Sequence, residues 1–170
     1  MSFASVIHLD TSVFLPIIDR KKLIVSRDEF SALRSFAYRL TRNNQKVKVS
    51  IVVLGEILKK AIEGSCIELV EELQDFALKM KNRLELCYIP KFRNSCNDFC
   101  KILQKILDVD DYLRDNPSDA LILTIAVLDE EADILYTIDS KLLISSKVHN
   151  FVNQMRRGYG FKRLTIASPI

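Results

Sequence analysis

A chain of 170 residues, 48% hydrophobic and 28% charged, suits one domain with a real core and is too apolar to remain disordered. No apolar run approaches the roughly 20 residues that span a bilayer, and the first apolar run lacks a preceding basic stretch and contains His8 and Asp10. Neither a membrane span nor a signal peptide is therefore expected, and a cytoplasmic location is. The net charge of +3 is unevenly spread: residues 140–170 hold six basic and no acidic residues, leaving 19 of the 25 basic residues against all 22 acidic ones. A basic terminal segment beside an acidic body points to a polyanionic partner.

In chain order, Val6-Ile7-His8-Leu9 is an apolar run that stops at Asp10 and reads as a buried strand. Ser26 with Glu29 forms a capping box before a helix whose apolar stripe is Phe30, Leu33, Phe36, Ala37 and Leu40. Arg42 to Gln45 reads as a polar turn. Val47 to Val53 reads as a second strand, passing into a helix from Leu54 that carries Glu56 and ends at Gly64. Ser65 with Glu68 forms a further capping box for a helix to about Met80, and Leu84 to Ile89 reads as a third strand closed by Pro90. Ser95 to Leu113 has the pattern of one long amphipathic helix. Asn116-Pro117 starts another, with a capping side chain and then proline at the first helical position. Ile134 to Ile138 is a fourth strand ending at Asp139, a short helix is expected over residues 140–147, and Leu164 to Ala167 is a last strand. Strands alternating with helices throughout predict an α/β fold with a mostly parallel sheet covered on both faces, as a single domain over residues 1–170. In such sheets ligands bind beyond the carboxyl ends of the strands.

Asp10 and Asp139 each follow an apolar strand, Glu56 lies near the start of the helix after the second strand, and Asp119 lies in the first turn after Pro117. All four can face one crevice. Each also has a plainer reading: Asp10 as a turn residue or helix cap, Asp139 as a helix cap, Glu56 as an exposed helix residue, Asp119 as part of a capping-box start. Four carboxylates gathered together raise one another's pKa and are favourable only with something positive among them. Oxygen-only ligands suit Mg²⁺ or Mn²⁺, which can support phosphodiester cleavage. The cysteines 66, 87, 96 and 100 form no CxxC pair, and with only His8 and His149 available they read as packing or partly exposed thiols rather than a zinc site. Neither histidine stands in a context that suggests catalysis.

These residues resemble a known family. Val6-Ile7-His8-Leu9-Asp10-Thr11-Ser12 looks like the opening of PIN domains. Residues 49–58, with Glu56, look like their second motif, Asn116-Pro117-Ser118-Asp119-Ala120 like their third, and residues 132–139, ending Thr137-Ile138-Asp139, like their fourth. The resemblance spans residues 6 to about 144. It implies a three-layer α/β/α PIN-like fold with about five strands and Mg²⁺- or Mn²⁺-dependent cleavage of RNA. Asp10, Glu56, Asp119 and Asp139 would be the metal ligands and catalytic residues, with Thr11, Ser12 and Thr137 as supporting hydroxyls. Many small members are VapC-type toxins held inactive by an antitoxin protein. Others process RNA in housekeeping roles, and a non-catalytic module that binds RNA or a protein partner is the alternative. A homodimer is also expected. The segment 65–113 is longer and more helical than in the most compact VapC-like members, and Ser140-Lys141 replaces the usual surroundings of the fourth motif.

Other enzyme classes fit less well. A haloacid-dehalogenase-type phosphatase would need an acid two residues after Asp10, where Ser12 stands. A receiver domain is matched only in fragments. No GxxxxGK[ST] run and no dinucleotide-binding glycine fingerprint occurs. For guiding an RNA backbone the candidates are Arg20-Lys21-Lys22, Lys59, Lys60, Arg156, Arg157, Lys162 and Arg163.

Overall fold

β1 (Val6–Leu9) is buried at all four positions and pairs in parallel with β2 (Lys46–Ser50) on one side and β4 (Ile134–Tyr136) on the other. β3 (Leu84–Cys87) extends the sheet beyond β2, and β5 (Thr165–Ala167) extends it beyond β4. The order is β3-β2-β1-β4-β5 with every pairing parallel, so all the strands end on one edge. The chain leaves β1 toward β2 on one side and returns as β4 on the other, which makes the gap between β1 and β4 the switch point where a crevice opens. The computed structural model describes residues 5–22, 24, 27–43, 45–88 and 96–170, except the side chains of 27–29 and 96–97.

Two groups of helices flank this sheet. α1 (Thr11–Ile18), α2 (Arg27–Arg42), α3 (Ile51–Glu63) and α4 (Glu68–Met80) form one. α5 (Cys96–Val109), α6 (Asp111–Asp115), α7 (Pro117–Leu128) and α9 (Ser146–Gly158) form the other, with α8 (Ser140–Ile144) next to β5. The architecture is the three-layer α/β/α arrangement expected. α7 is buried almost all round from Ala120 to Leu128, as befits a helix apolar on every face. Among the described residues no helix is long and apolar enough to cross a membrane.

Several boundaries depart from the sequence pattern, each for a local reason. α1 follows Asp10 directly, although Thr11, Val13 and an internal Pro16 are poor helix formers. Residues 13–18 are all buried, and tertiary packing overrides propensity. The β-branched run 47–53 divides at Ser50, whose Oγ accepts from Val53 N at 3.2 Å and so starts α3 three residues before Leu54. Gly64 closes α3 with a right-handed φ of −81°, and the left-handed residue is Ser65, at φ 50°. Ser65 therefore does not cap α4, whose first turn begins without a side-chain cap. Asn116 caps nothing with its side chain either: its Nδ2 donates back to Tyr112 O at 2.9 Å.

The expected long helix over 95–113 is two helices. It breaks at Asp110, whose carboxylate accepts from Tyr112 N at 3.1 Å and from Ser145 Oγ at 2.9 Å. β4 stops at Tyr136, two residues short of the expected end, and the single short helix over 140–147 is replaced by α8 and α9, reaching Gly158. β3 stops at Cys87, with Tyr88 already outside the strand, and the Ser26–Glu29 box and Ile89-Pro90 lie outside the described residues.

Candidate active site

Asp10 sits at the end of β1, and its backbone N–H donates to Tyr136 O at 3.0 Å, which locks it to β4. The residue is 4% exposed and its carboxylate is held on both oxygens: Oδ1 accepts from Thr11 N at 2.7 Å, and Oδ2 accepts from Ser12 Oγ at 2.6 Å and Thr137 Oγ1 at 2.8 Å. Burial pushes the Asp10 carboxyl up; the bonds from Ser12, Thr137 and Thr11 offset part of that, and the nearby Glu56 adds to it. Thr11 Oγ1 donates to Glu56 Oε2, tying the start of α1 to the second turn of α3. The three hydroxyls singled out in the sequence thus all bind proposed acidic residues.

Asp119, in the first turn of α7, and Asp139, which caps α8, complete the group. Tyr112 on α6 joins them: its hydroxyl donates to Asp119 Oδ2 at 2.8 Å and also contacts Asp139 Oδ2. Asp139 Oδ1 accepts from Lys141 N at 2.7 Å and Leu142 N at 3.3 Å, while Asp139 N donates to Thr137 Oγ1 at 3.0 Å. Burial raises Asp119, the Tyr112 bond opposes this, and Asp10, Asp139 and Glu56 push it further, to about 6. Asp119 therefore feels all three other acids. Asp10 and Asp139 are both helix caps as well as members of this group, as the plainer reading of each has it.

Among the described residues none of the four carboxylates has an ion-pair partner. Their donor set is oxygen only, negative and uncompensated, which fits a hard divalent cation. Asp10, Glu56, Asp119 and Asp139 could hold one. Tyr112 is the residue that the sequence did not reveal. The apolar period carried the reading through it as one helix, although Asp110-Asp111 ahead of it is an available start signal.

No family model matches the sequence, and no curated protein matches it. Among solved structures, a chain of the crystal structure of VapBC2 from Rickettsia felis bound to a DNA fragment from their promoter is similar over 96% of this chain and 98% of that one, with a TM-score of 0.55 and 15% identity. The likeness shows the fold. The chain has a PIN-like architecture, and its carboxylates stand at the switch point of that architecture's sheet.

An open groove of about 660 Å³ adjoins these carboxylates, lined by Thr11, Ser12, Glu56, Lys59, Lys60, Glu63 and Ser118 with Leu15, Pro16, Ile24 and Ile138. The basic candidates separate clearly. Arg156 is not a surface cation: it is fully buried. Its guanidinium donates to the carbonyls of Ala126, Val127, Asp129, Ala132 and Lys162 at 2.7–3.1 Å. Lys162 pairs with Asp133 at 2.6 Å, and Arg20 pairs with Glu72 at 2.9 Å and Asp75 at 3.5 Å. Arg157 and Arg163 are exposed but do not line the groove. Lys59 and Lys60 do line it. Lys59 reaches Glu63 only at 3.8 Å, and Lys60 has no ion pair among the described residues.

A second polar cluster brings His8 and Cys87 together. His8 Nε2 lies 2.7 Å from Asp129 Oδ2, and these atoms and Cys87 Sγ all lie within 4.8 Å of one another. Among the described residues this is the group whose ligand atoms converge so closely; the four carboxylates are spaced more openly. Yet Lys48 Nζ stands 2.6 Å from the same Asp129 oxygen and 2.8 Å from Glu131, so a cation is already built in. Burial would lower the Lys48 ammonium, but its bonds to Asp129 and Glu131 outweigh that and push it up to about 12. Burial pushes the Cys87 thiol up to about 11. This is a compensated ion-pair network.

Proposed function

We propose that the chain is a divalent-metal-dependent endoribonuclease whose catalytic residues Asp10, Glu56, Asp119 and Asp139 hold Mg²⁺ or Mn²⁺. The observation that carries this reading is the uncompensated acidic group at the sheet's switch point, where Asp119 is pushed up to about 6 by burial and by three like charges. A bound ion would supply the activation of water and the charge balance that phosphodiester cleavage needs. The chain's own residues do the positioning. Ser12 and Thr137 fix one oxygen of Asp10, and Thr11 N fixes the other. Thr11 Oγ1 orients Glu56, and Thr137 Oγ1 orients the backbone of Asp139. Lys59 and Lys60 attract the phosphates of an RNA strand lying in the groove, with its apolar side against the bases.

The likeness to a VapBC2 chain supports a narrower version, in which the protein is the toxin of a toxin–antitoxin pair and a small antitoxin protein is its partner. A homodimer would cover the exposed Ile62, Ile67 and Leu78 on and between α3 and α4. The test is a labelled single-stranded RNA incubated with purified protein. Cleavage should require Mn²⁺ or Mg²⁺, stop with EDTA, return when the ion is restored, and drop at least about 10²-fold in Asp10→Asn. RNA that is retained but uncleaved at every metal concentration would favour the non-catalytic module instead. An Asp10→Asn variant as active as wild type would remove the mechanism.

A further inference from the structure

The phenol of Tyr112 stands between Asp119 and Asp139, in contact with one oxygen of each. For Asp139 that contact falls on the oxygen with no other duty. Oδ1 is committed to the first turn of α8, where it accepts from Lys141 N and Leu142 N. Oδ2 is the oxygen that Asp139 can offer to an incoming ligand, and Tyr112 is on it.

The phenol is not there as a loose side chain. Tyr112 N donates to Asp110, Ser145 Oγ holds the other oxygen of that carboxylate from the α8–α9 junction, and Asn116 Nδ2 binds Tyr112 O. The ring packs against the core. The break between α5 and α6 therefore delivers one hydroxyl to one place. Its hydrogen lies between two like charges, a weak version of what a cation provides there.

Resting on the metal-site reading above, we infer that Tyr112 is a placeholder and positioning residue for the ion. In the ion-free protein its hydroxyl orients Asp119 and Asp139, and loading requires it to release Asp139 Oδ2. Metal binding and the state of one tyrosine side chain are then coupled.

The sequence makes this readable, because it contains five tyrosines and no tryptophan, so tyrosine dominates the near-ultraviolet spectrum. The experiment titrates Mn²⁺ into wild type and Tyr112→Phe at pH 8. Melting temperature and near-ultraviolet circular dichroism are followed together. Phenylalanine keeps the ring and its packing, and the ion-free melt of the variant verifies that the fold is retained. In wild type, Mn²⁺ should raise the melting temperature and change the tyrosine signal. In Tyr112→Phe the stabilisation should persist, the spectral change should vanish, and half-saturation should move to about three- to tenfold less Mn²⁺, since no hydroxyl has to be displaced. An unchanged or higher half-saturation in the variant, or a spectral change that survives the substitution, overturns the placeholder role while leaving the metal site standing. Wild type that shows no stabilisation by Mn²⁺ overturns the metal-site reading and this inference with it.

Discussion

Helix α7 carries an aspartate at each end, and their surroundings are opposite. Asp119 lies in the first turn, where the helix dipole favours a negative charge, and Asp129 follows the last turn, where the dipole opposes one. The dipole alone would make Asp119 the stronger acid. The reverse holds. Burial would raise Asp129, but His8 and Lys48 hold it well below the ordinary carboxylate range, whereas Asp119 is pushed up to about 6. A dipole effect of roughly 0.3–1 kcal/mol is smaller than what a buried partner, or its absence, imposes. One end of the helix is a finished ion-pair network. The other is a concentration of like charge that, among the described residues, only hydroxyl and backbone N–H groups temper, and this unfinished end is the one that lies at the switch point of the sheet.

The sharpest way to break the comparison is to unbalance the finished end. Asp129→Asn leaves the buried Lys48 without its main anion and should cost about 3–5 kcal/mol of folding stability in urea denaturation. A change under 1 kcal/mol would mean that the network contributes little. Arg156→Lys acts on the same end, because the guanidinium ties the last carbonyls of α7 to those of Ala132 and Lys162. An ammonium cannot span five acceptors, and the expected loss is roughly 2–4 kcal/mol.

At the unfinished end the sign reverses. Asp119 titrates at about 6 in the folded chain against an ordinary 3.8, so the fold binds that proton more tightly than the unfolded chain does. The ionised carboxylate therefore costs stability fully above pH 6, and the cost fades as pH falls toward 4. Asp119→Asn should stabilise the ion-free protein by roughly 1 kcal/mol at pH 8, a value reduced for partial exposure, and by nothing at pH 4. Equal effects at both pH values would contradict the account. The smallest effect belongs to the groove: Lys60→Gln should weaken RNA binding several-fold and lower the slope of log affinity against log salt by about 1. No change in that slope would place the strand elsewhere.

How much of this the sequence discloses differs between the two ends. The unfinished end is largely legible because strand ends are local signals. An apolar run that stops at Asp10, another that leads to Asp139, and a proline that opens the helix bearing Asp119 can each be read within a few residues. The finished end was opaque because its partners meet across strands. His8 pairs with Lys48 by register, and Asp129 joins them from the far end of α7. No spacing along the chain marks that meeting. Arg156 reads as one more cation in a basic segment, and only its burial beneath five carbonyls shows it to be structural. Tyr112 was hidden by a continuous apolar period, which the Asp110 cap interrupts without altering.

The central claim is that the carboxylates at the sheet edge, and not the His8–Cys87–Asp129 group, bind a divalent ion. Calorimetric titration of Mn²⁺ into wild type, Asp119→Asn and Cys87→Ser tests it directly. Binding should be present in wild type, weakened at least about tenfold in Asp119→Asn, and unchanged in Cys87→Ser. Binding that survives Asp119→Asn but disappears with Cys87→Ser would place the ion at the other end of α7 and contradict the account.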